Sequence, residues 1–517
     1  MGDRSGEEMF GLLTGEVFSP LPQLELKTLQ SMRNLERQQR ALGPFSTAEA
    51  NIPFFSGEEL PDLRLAAFAP DAPERFRTHE GQAIVNINEP SLFRAASGGG
   101  KTTAIFDAGC VVPMIYIACH DPPVILAEEH LNESVTKDLV FPKLIRAISV
   151  RCASANLPVG QTQLSPQALH EARIEGDRLI FADICARLSF VLWLTETSQG
   201  LTPEQMLLAQ LNGGRTHMVQ AFEYLLAASA TSLINLALYC RNTLARRWPQ
   251  PIRVAIDEAQ MAAPKFAGPG GFCFQHVEKK SPRGLLYEYC HQWIDLFERR
   301  VVIAGTGLTS EAANQLESGV GKDVIGPNQL PFLGLEDVKQ RLQRMLDLSD
   351  VNLDAVIDLK DITGRCRWVA ALIRQLMKTG SIGVVGKESI IRHCILQVVT
   401  DTALKLASSI VDVVQLGDTR AQVVLTLATQ LYATAWLFDD HVQGARLRFS
   451  QADISNLLAL GLVMRPELSS PGTKVTDVMM DTIGHRALQE VARQLSWDPA
   501  EVIAREIAVA TNVNAVE

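Results

Sequence analysis

The stretch Ala95-Ala96-Ser97-Gly98-Gly99-Gly100-Lys101-Thr102 has the composition of a loop that holds a polyphosphate. It follows the pattern GxxxxGK(S/T), with alanine in the first glycine position. Three consecutive glycines let backbone N–H groups turn toward phosphate oxygens with no Cβ in the way. A helix starting near Lys101 adds the positive end of its dipole. Lys101 can then reach the β- and γ-phosphates, and the Thr102 hydroxyl can meet Mg²⁺. Ser97, Gly98, Gly99, Gly100, Lys101, Thr102 and Thr103 are the candidate nucleotide contacts. The plainer alternative is a glycine-rich turn that happens to precede Lys-Thr. A helical Thr103–Ala108 and an apolar strand soon after it favour the phosphate loop.

A phosphate loop needs a carboxylate partner at the end of another strand. Ile252-Arg253-Val254-Ala255-Ile256-Asp257-Glu258 supplies one, because ligands sit at the carboxyl ends of parallel strands. Asp257 is the candidate for the Mg²⁺ shell, and Glu258 for orienting and polarising an attacking water. The alternative is a pair of acids that caps the next element. Thr306, in Ala304-Gly305-Thr306-Gly307, ends the next apolar run and is a candidate γ-phosphate sensor. Arg367, in Gly364-Arg365-Cys366-Arg367, opens a later helix from which a guanidinium could report the phosphate state. Arg299 and Arg300 are weaker candidates for a finger toward a neighbouring subunit.

These residues require a scaffold. Apolar runs at Val111–Ala118, Arg253–Ile256 and Val301–Ala304 suit buried parallel strands, and helical stretches fall between them at 177–196, 203–211, 218–247 and 285–299. The fold class is therefore α/β with a mostly parallel sheet. The expected division is a helical lead-in over 1–85 and a core over 86–330 with a helical insertion at about 125–245. A helical lid over 331–416 and a C-terminal part over 417–517 complete it. The lead-in contains a helical stretch at 24–42. In the C-terminal part, a helix at 450–460 and strands at 463–465 and 475–478 have the order of a winged helix; a helical bundle with a surface hairpin is the alternative.

In order along the chain, the loop, the Asp257-Glu258 strand end, Ala304-Gly305-Thr306-Gly307-Leu308 and Gly364-Arg365-Cys366-Arg367 resemble the ATPase core of AAA/STAND P-loop NTPases. These are the Walker A loop, the Walker B strand, a sensor strand and a lid with an arginine turn. More narrowly, residues 85–380 are similar to the NTPase module of Crinkler-type proteins. The resemblance implies an ATP- and Mg²⁺-dependent conformational switch joined to an interaction or effector domain, and export to a host cell would follow only from it. Ala95 and Cys366 depart from the family pattern, which has glycine and proline there, and no Crinkler header or nuclease motif is present. The alternatives are a nucleotide-binding protein without turnover and a nucleic-acid remodeller; a P-loop kinase fits the acid pair less well.

Composition narrows the partners. With 48 Lys+Arg against 58 Asp+Glu the formal charge is −10, which disfavours a surface devoted to nucleic acid or anionic lipid. The 9 cysteines include no CxxC and lie mostly in apolar runs, so they read as buried thiols of a reducing compartment. Cys273, His276, Cys290 and His291 could supply zinc ligands, though the adjacent second pair suits no common finger. The N-terminus lacks the apolar stretch of a signal peptide and no run is long enough to span a membrane, so an intracellular chain, cytoplasmic or nuclear, is expected. Nucleotide and a protein partner or second copy are the expected ligands.

Overall fold

Two-sided burial explains the apolar runs, because one sheet is covered by helices on both faces. A computed structural model describes residues 3–18, 79–94, 100–119, 138–153, 166–211, 214–263, 282–298, 300–305, 325–329, 333–378, 386–415, 419–437 and 477–498. Shorter pieces are described at 68, 265–266, 274–275, 417, 447–448, 463–464, 500–502 and 504. The expected helices at 24–42 and 450–460 lie outside the described residues. The chain divides into two compact units: residues 1–40, 51–93 and 101–328, and residues 41–50, 94–100 and 329–517.

The first unit opens with α1 (Gly6–Leu12). Its start is a capping box, in which the Ser5 hydroxyl accepts the Glu8 N–H and the Glu8 carboxylate accepts the Ser5 N–H at 2.8 Å. A Cβ on Gly6 would lie 2.3 Å from the Asn235 carbonyl oxygen, so only glycine lets this helix sit down. Then follow α2 (His79–Val85), β1 (Ser91–Arg94), α3 (Lys101–Gly109) and β2 (Met114–Ala118). A helical stretch of α4 (Val140–Ile148), α5 (Pro166–Thr197), α6 (Pro203–Leu211), α7 (Gly214–Leu225) and α8 (Ala230–Arg247) occupies the expected insertion. The chain returns through β3 (Arg253–Asp257), α9 (Leu285–Leu296), β4 (Val301–Gly305) and β5 (Ile325–Gln329).

The strands pair in the order β2-β3-β4-β1-β5. β2, β3 and β4 run parallel, with Ile117 opposite Ile256 and Ile256 opposite Ile303. Alternation sorts the side chains onto two faces. Leu92, Ile115, Ile117, Val254, Ile256, Val301 and Ile303 join the larger core, which α4 to α9 and the N-terminal helix complete. Phe93, Met114, Tyr116, Ala118, Ala255, Val302 and Ala304 join a smaller core with α2 and α3. The alanines on that face give α3 room to lie close to the sheet. Both edges are protected. Pro327 sits on the edge strand β5, where its missing N–H breaks no central ladder. Along β2 the Gln210 amide stands in for another strand: its oxygen accepts the Tyr116 N–H at 3.1 Å and its nitrogen donates to the Met114 carbonyl at 2.8 Å.

One expected helix, 218–247, is two. The chain breaks after Leu225, and Ser229 restarts it by accepting the Ser232 N–H at 3.2 Å, a side-chain bond that competes with continued helix. On the flank of α5, burial and the negative charge of Glu288 push the Asp177 carboxyl up to about 7, against the opposing pull of Arg173. A carboxyl raised in the folded state holds its proton where the unfolded chain has lost it. Stability therefore falls as pH rises from about 4 to about 7. Asp177→Asn should flatten this part of a plot of melting temperature against pH; an unchanged slope would exclude Asp177 as its source.

The second unit is mainly helical: α10 (Leu335–Met345), α11 (Cys366–Lys378), α12 (Lys387–Gln415) and α13 (Thr419–Leu437). The short strands β6 (Leu447–Arg448), β7 (Val463–Met464) and β8 (Asp477–Met480) precede α14 (Thr482–Gln494). These strands form an antiparallel sheet in the order β6-β8-β7, with Met479 opposite Met464. Both expected strands are present in part and pair antiparallel, and a third strand joins them; residues 465 and 475–476 lie outside the described residues. Among the described residues, α12 alone is long and apolar enough to cross a membrane by length and composition. Its Ile391, Cys394, Ile395 and Val399 are buried, and it packs against α11, α13 and α14.

Candidate functional site

The strand order places the candidate residues. From β1 the chain crosses to the far edge at β2, returns through β3 and β4, and then passes to the opposite side of β1 at β5. Connections that leave a strand in opposite directions open a crevice beyond its carboxyl end. β1 stands at this turning point of the order, with β4 and then β3 next to it, and residues 95–99, which follow β1, lie outside the described residues.

Gly100 closes the loop with φ at +95°, a conformation that L side chains rarely adopt. Residues 94–100 group with the second unit, and a Cβ on Gly100 would lie 3.1 Å from the Cys366 sulfur. Lys101 begins α3 and is buried, while Thr102 and Thr103 are half-buried in its first turn. Because β3 alternates, Arg253, Ala255 and Asp257 share the face that α3 covers. The Thr102 hydroxyl accordingly donates to the Asp257 Oδ2 at 2.6 Å, joining two points 155 residues apart in the chain. The Tyr116 hydroxyl donates to the same oxygen at 3.1 Å, and the Glu258 N–H donates to Oδ1 at 2.9 Å.

Asp257 is fully buried. Burial raises its carboxyl above the ordinary range, and the charge of Glu258 adds to the rise. The Thr102 hydroxyl, Lys101 and the Glu258 N–H oppose it. Thr102 has one proton and gives it to Asp257, so the lone pairs of its oxygen remain to face a cation. The geometry thus suits Thr102 as a direct ligand, with Asp257 holding it from behind.

Glu258 is in the left-handed region, with φ 54° and ψ 33°, an uncommon conformation for a residue with a Cβ. It turns the chain sharply off the strand end. The Gln260 amide donates to its carboxylate, so the side chain is half-buried and held from one side. Non-glycine residues in this region gather at functional sites, where surrounding structure holds the conformation.

Lys101, Thr102, Thr103, Asp257 and Glu258 therefore belong to the first unit, with Gly100 leading into it. Ser97, Gly98, Gly99 and Thr306 lie outside the described residues. In the second unit Gly364 has φ at +110° and α11 begins at Cys366, as the arginine turn suggested. The two arginines there differ. Arg365 is buried, with its Nε 2.9 Å from the Asp481 Oδ2 and its guanidinium over the Trp368 ring. Asp481 also accepts the Trp368 indole N–H at 2.9 Å and caps α14. Arg365 thus fastens α11 to α14, and Arg367 is the one that is exposed. Arg300 lies 3.7 Å from Glu298. Of the proposed zinc cluster, Cys290 is buried in α9 and His291 pairs with Asp295 at 3.2 Å, while Cys273 and His276 lie outside the described residues. No group of three or more metal-ligating side chains occurs among the described residues.

Comparison with family models, curated proteins and solved structures finds no match to this chain.

Tyr116 is the site residue that motif reading misses. Its only signal is a single hydroxyl-bearing residue in the otherwise apolar strand Met114-Ile115-Tyr116-Ile117-Ala118.

Proposed function

We propose that the chain binds ATP with Mg²⁺ at the loop 95–102 and hydrolyses it, acting as a nucleotide-dependent switch of the AAA/STAND kind. The observation that carries this reading is the 2.6 Å bond from Thr102 to Asp257. A glycine-rich turn with a chance Lys-Thr has no reason to bring its threonine onto a buried acid at the end of a neighbouring strand. A P-loop site requires that pairing.

Each residue has a chemical task. The loop N–H groups and the α3 dipole receive phosphate oxygens. Lys101 adds a localised positive charge to the terminal phosphates. Thr102 and Asp257 would hold Mg²⁺, which when bound neutralises charge on the phosphate oxygens. Glu258, at the turn off β3, would take a proton from water, a role that favours hydrolysis over transfer to another acceptor. The second unit, with Arg367 exposed on α11, is the part proposed to respond to the nucleotide and to present a surface to a protein partner or second copy.

Lys101→Ala should lower affinity for a fluorescent ATP analogue by about 100-fold or more, because the terminal phosphates lose their fixed cation. Unchanged affinity would remove the phosphate-loop reading. Phosphate release by the parent protein separates hydrolysis from binding alone: tight binding with no release would leave a nucleotide-held interaction protein.

A further inference from the structure

We infer that Tyr116 is a positioning residue for the metal end of this site, setting the direction of the Thr102 hydroxyl through Asp257. The inference rests on the nucleotide reading above and assigns a role to a residue outside both motifs.

The geometry is specific. Tyr116 lies opposite Ala255 in the β2–β3 ladder, on the face that α3 covers. The small Ala255 side chain leaves space for the phenol to reach along β3 to Asp257, two residues on. Its hydroxyl donates to Oδ2 at 3.1 Å, the oxygen that also accepts Thr102 at 2.6 Å. With Glu258 N–H on Oδ1 at 2.9 Å, the carboxylate is held by a neighbouring strand, a helix and its own strand end. These three directions fix its plane against rotation about the Cβ–Cγ bond. A carboxylate fixed in this way keeps Thr102 donating inward, and the lone pairs of Thr102 outward.

Tyr116 is itself fixed. Gln210 holds its backbone N–H at 3.1 Å, and its ring stands edge-on to Phe106 with centroids 5.1 Å apart. A purely packing role would need the ring but no hydroxyl. Phenylalanine would fill the same space in the apolar core of α3, so the aimed hydroxyl is the feature that packing leaves unexplained. Outer partners of metal ligands commonly contribute tenfold or more to metal affinity by orienting them.

The test is Tyr116→Phe, which keeps the ring. Mn²⁺ is the probe, counted by the loss of its free electron paramagnetic resonance signal with the β,γ-imido analogue of ATP present. Binding of the same analogue in EDTA is measured separately. The expected result is about tenfold weaker Mn²⁺ binding, with metal-free nucleotide affinity unchanged and the melting temperature lowered by no more than the loss of one buried hydrogen bond. In an Asp257→Asn background, where the positioned carboxylate is gone, Tyr116→Phe should have no further effect on Mn²⁺. Mn²⁺ affinity within twofold of the parent would overturn the positioning role and leave the nucleotide reading standing. An equal loss of metal-free nucleotide binding would also overturn it, by showing a general structural role. If the parent binds neither the analogue nor nucleotide-dependent Mn²⁺, the nucleotide reading fails and takes this inference with it.

Discussion

Glu258→Gln should slow the proposed ATP hydrolysis by about 100- to 1,000-fold while leaving ATP affinity within a few fold of the parent. The factor is that of removing a positioned general base. Glutamine has the same length and can keep a bond to the Gln260 amide, so the half-buried side chain stays in place. The backbone N–H at residue 258 still donates to Asp257, and the Thr102–Asp257 pair is untouched. Only the ability to accept a proton is lost. The substitution therefore separates catalysis from binding, and it should accumulate the ATP-bound form of the protein. Single-turnover phosphate release, set beside equilibrium binding of the same nucleotide, checks both halves. Equal release rates would exclude Glu258 as the proton acceptor. A parallel fall in affinity would instead show that Glu258 supports the left-handed turn at φ 54° rather than the chemistry.

The parts of this site that are legible in the sequence are those where one residue type has one physical use. Gly100 stands at a positive φ, and Lys101-Thr102 begins a helix as the motif requires. Asp257 ends a five-residue buried strand, as an acid after an apolar run suggests. Strand positions were legible for the same reason, since two-sided burial writes continuous apolar runs at Met114–Ala118 and Val301–Gly305. Strand order leaves no such trace. Nothing local shows that β4 stands between β3 and β1, because pairing is settled by contacts across the chain. The break at Ser229 is hard to read because the apolar period continues through it, and only the cap marks it. The arginine turn is legible and Arg367 is the candidate taken from it, but nothing local shows that its neighbour Arg365 is the one held in the interior. Arg365 and Arg367 look alike in sequence, and only the fold brings Asp481 to one of them. Tyr116 and the Arg187–Asp138 pair have long-range partners that no spacing announces, whereas Asp183 stands four residues before Arg187 on one helix, a spacing that can be read locally.

Those buried charges give the largest expected effect on stability: Arg187→Met should destabilise the first unit by about 3–5 kcal/mol. Arg187 is fully buried on α5 between two carboxylates. Its Nη1 and Nη2 donate to Asp138 at 2.7 and 3.0 Å, and its Nε and Nη2 donate to Asp183 at 2.9–3.1 Å. The Tyr289 hydroxyl, from α9, donates to Asp183 as well. Two acids share one cation here, and their protons show which is better served. Burial raises both, but Arg187 and the Val140 and Phe141 N–H groups carry Asp138 below its ordinary value. Asp183 stays above its ordinary value, because burial outweighs Arg187 and the Tyr289 bond. Removing the guanidinium leaves Asp138 buried and uncompensated where its carboxylate also caps the start of α4. Methionine fills much of the volume but supplies no donor. Asp183→Asn is the discriminating comparison. It removes the charge and one acceptor oxygen but keeps the shape, and Arg187 keeps its paired bonds to Asp138, so the expected cost is the smaller of the two, about 1–3 kcal/mol. Urea unfolding with hydrogen exchange in α4 and α5 measures both variants. Equal costs would mean that these side chains act only as volume. A large cost confined to Arg187→Met would show that a single cation holds α4, α5 and α9 together beside the sheet that carries Asp257.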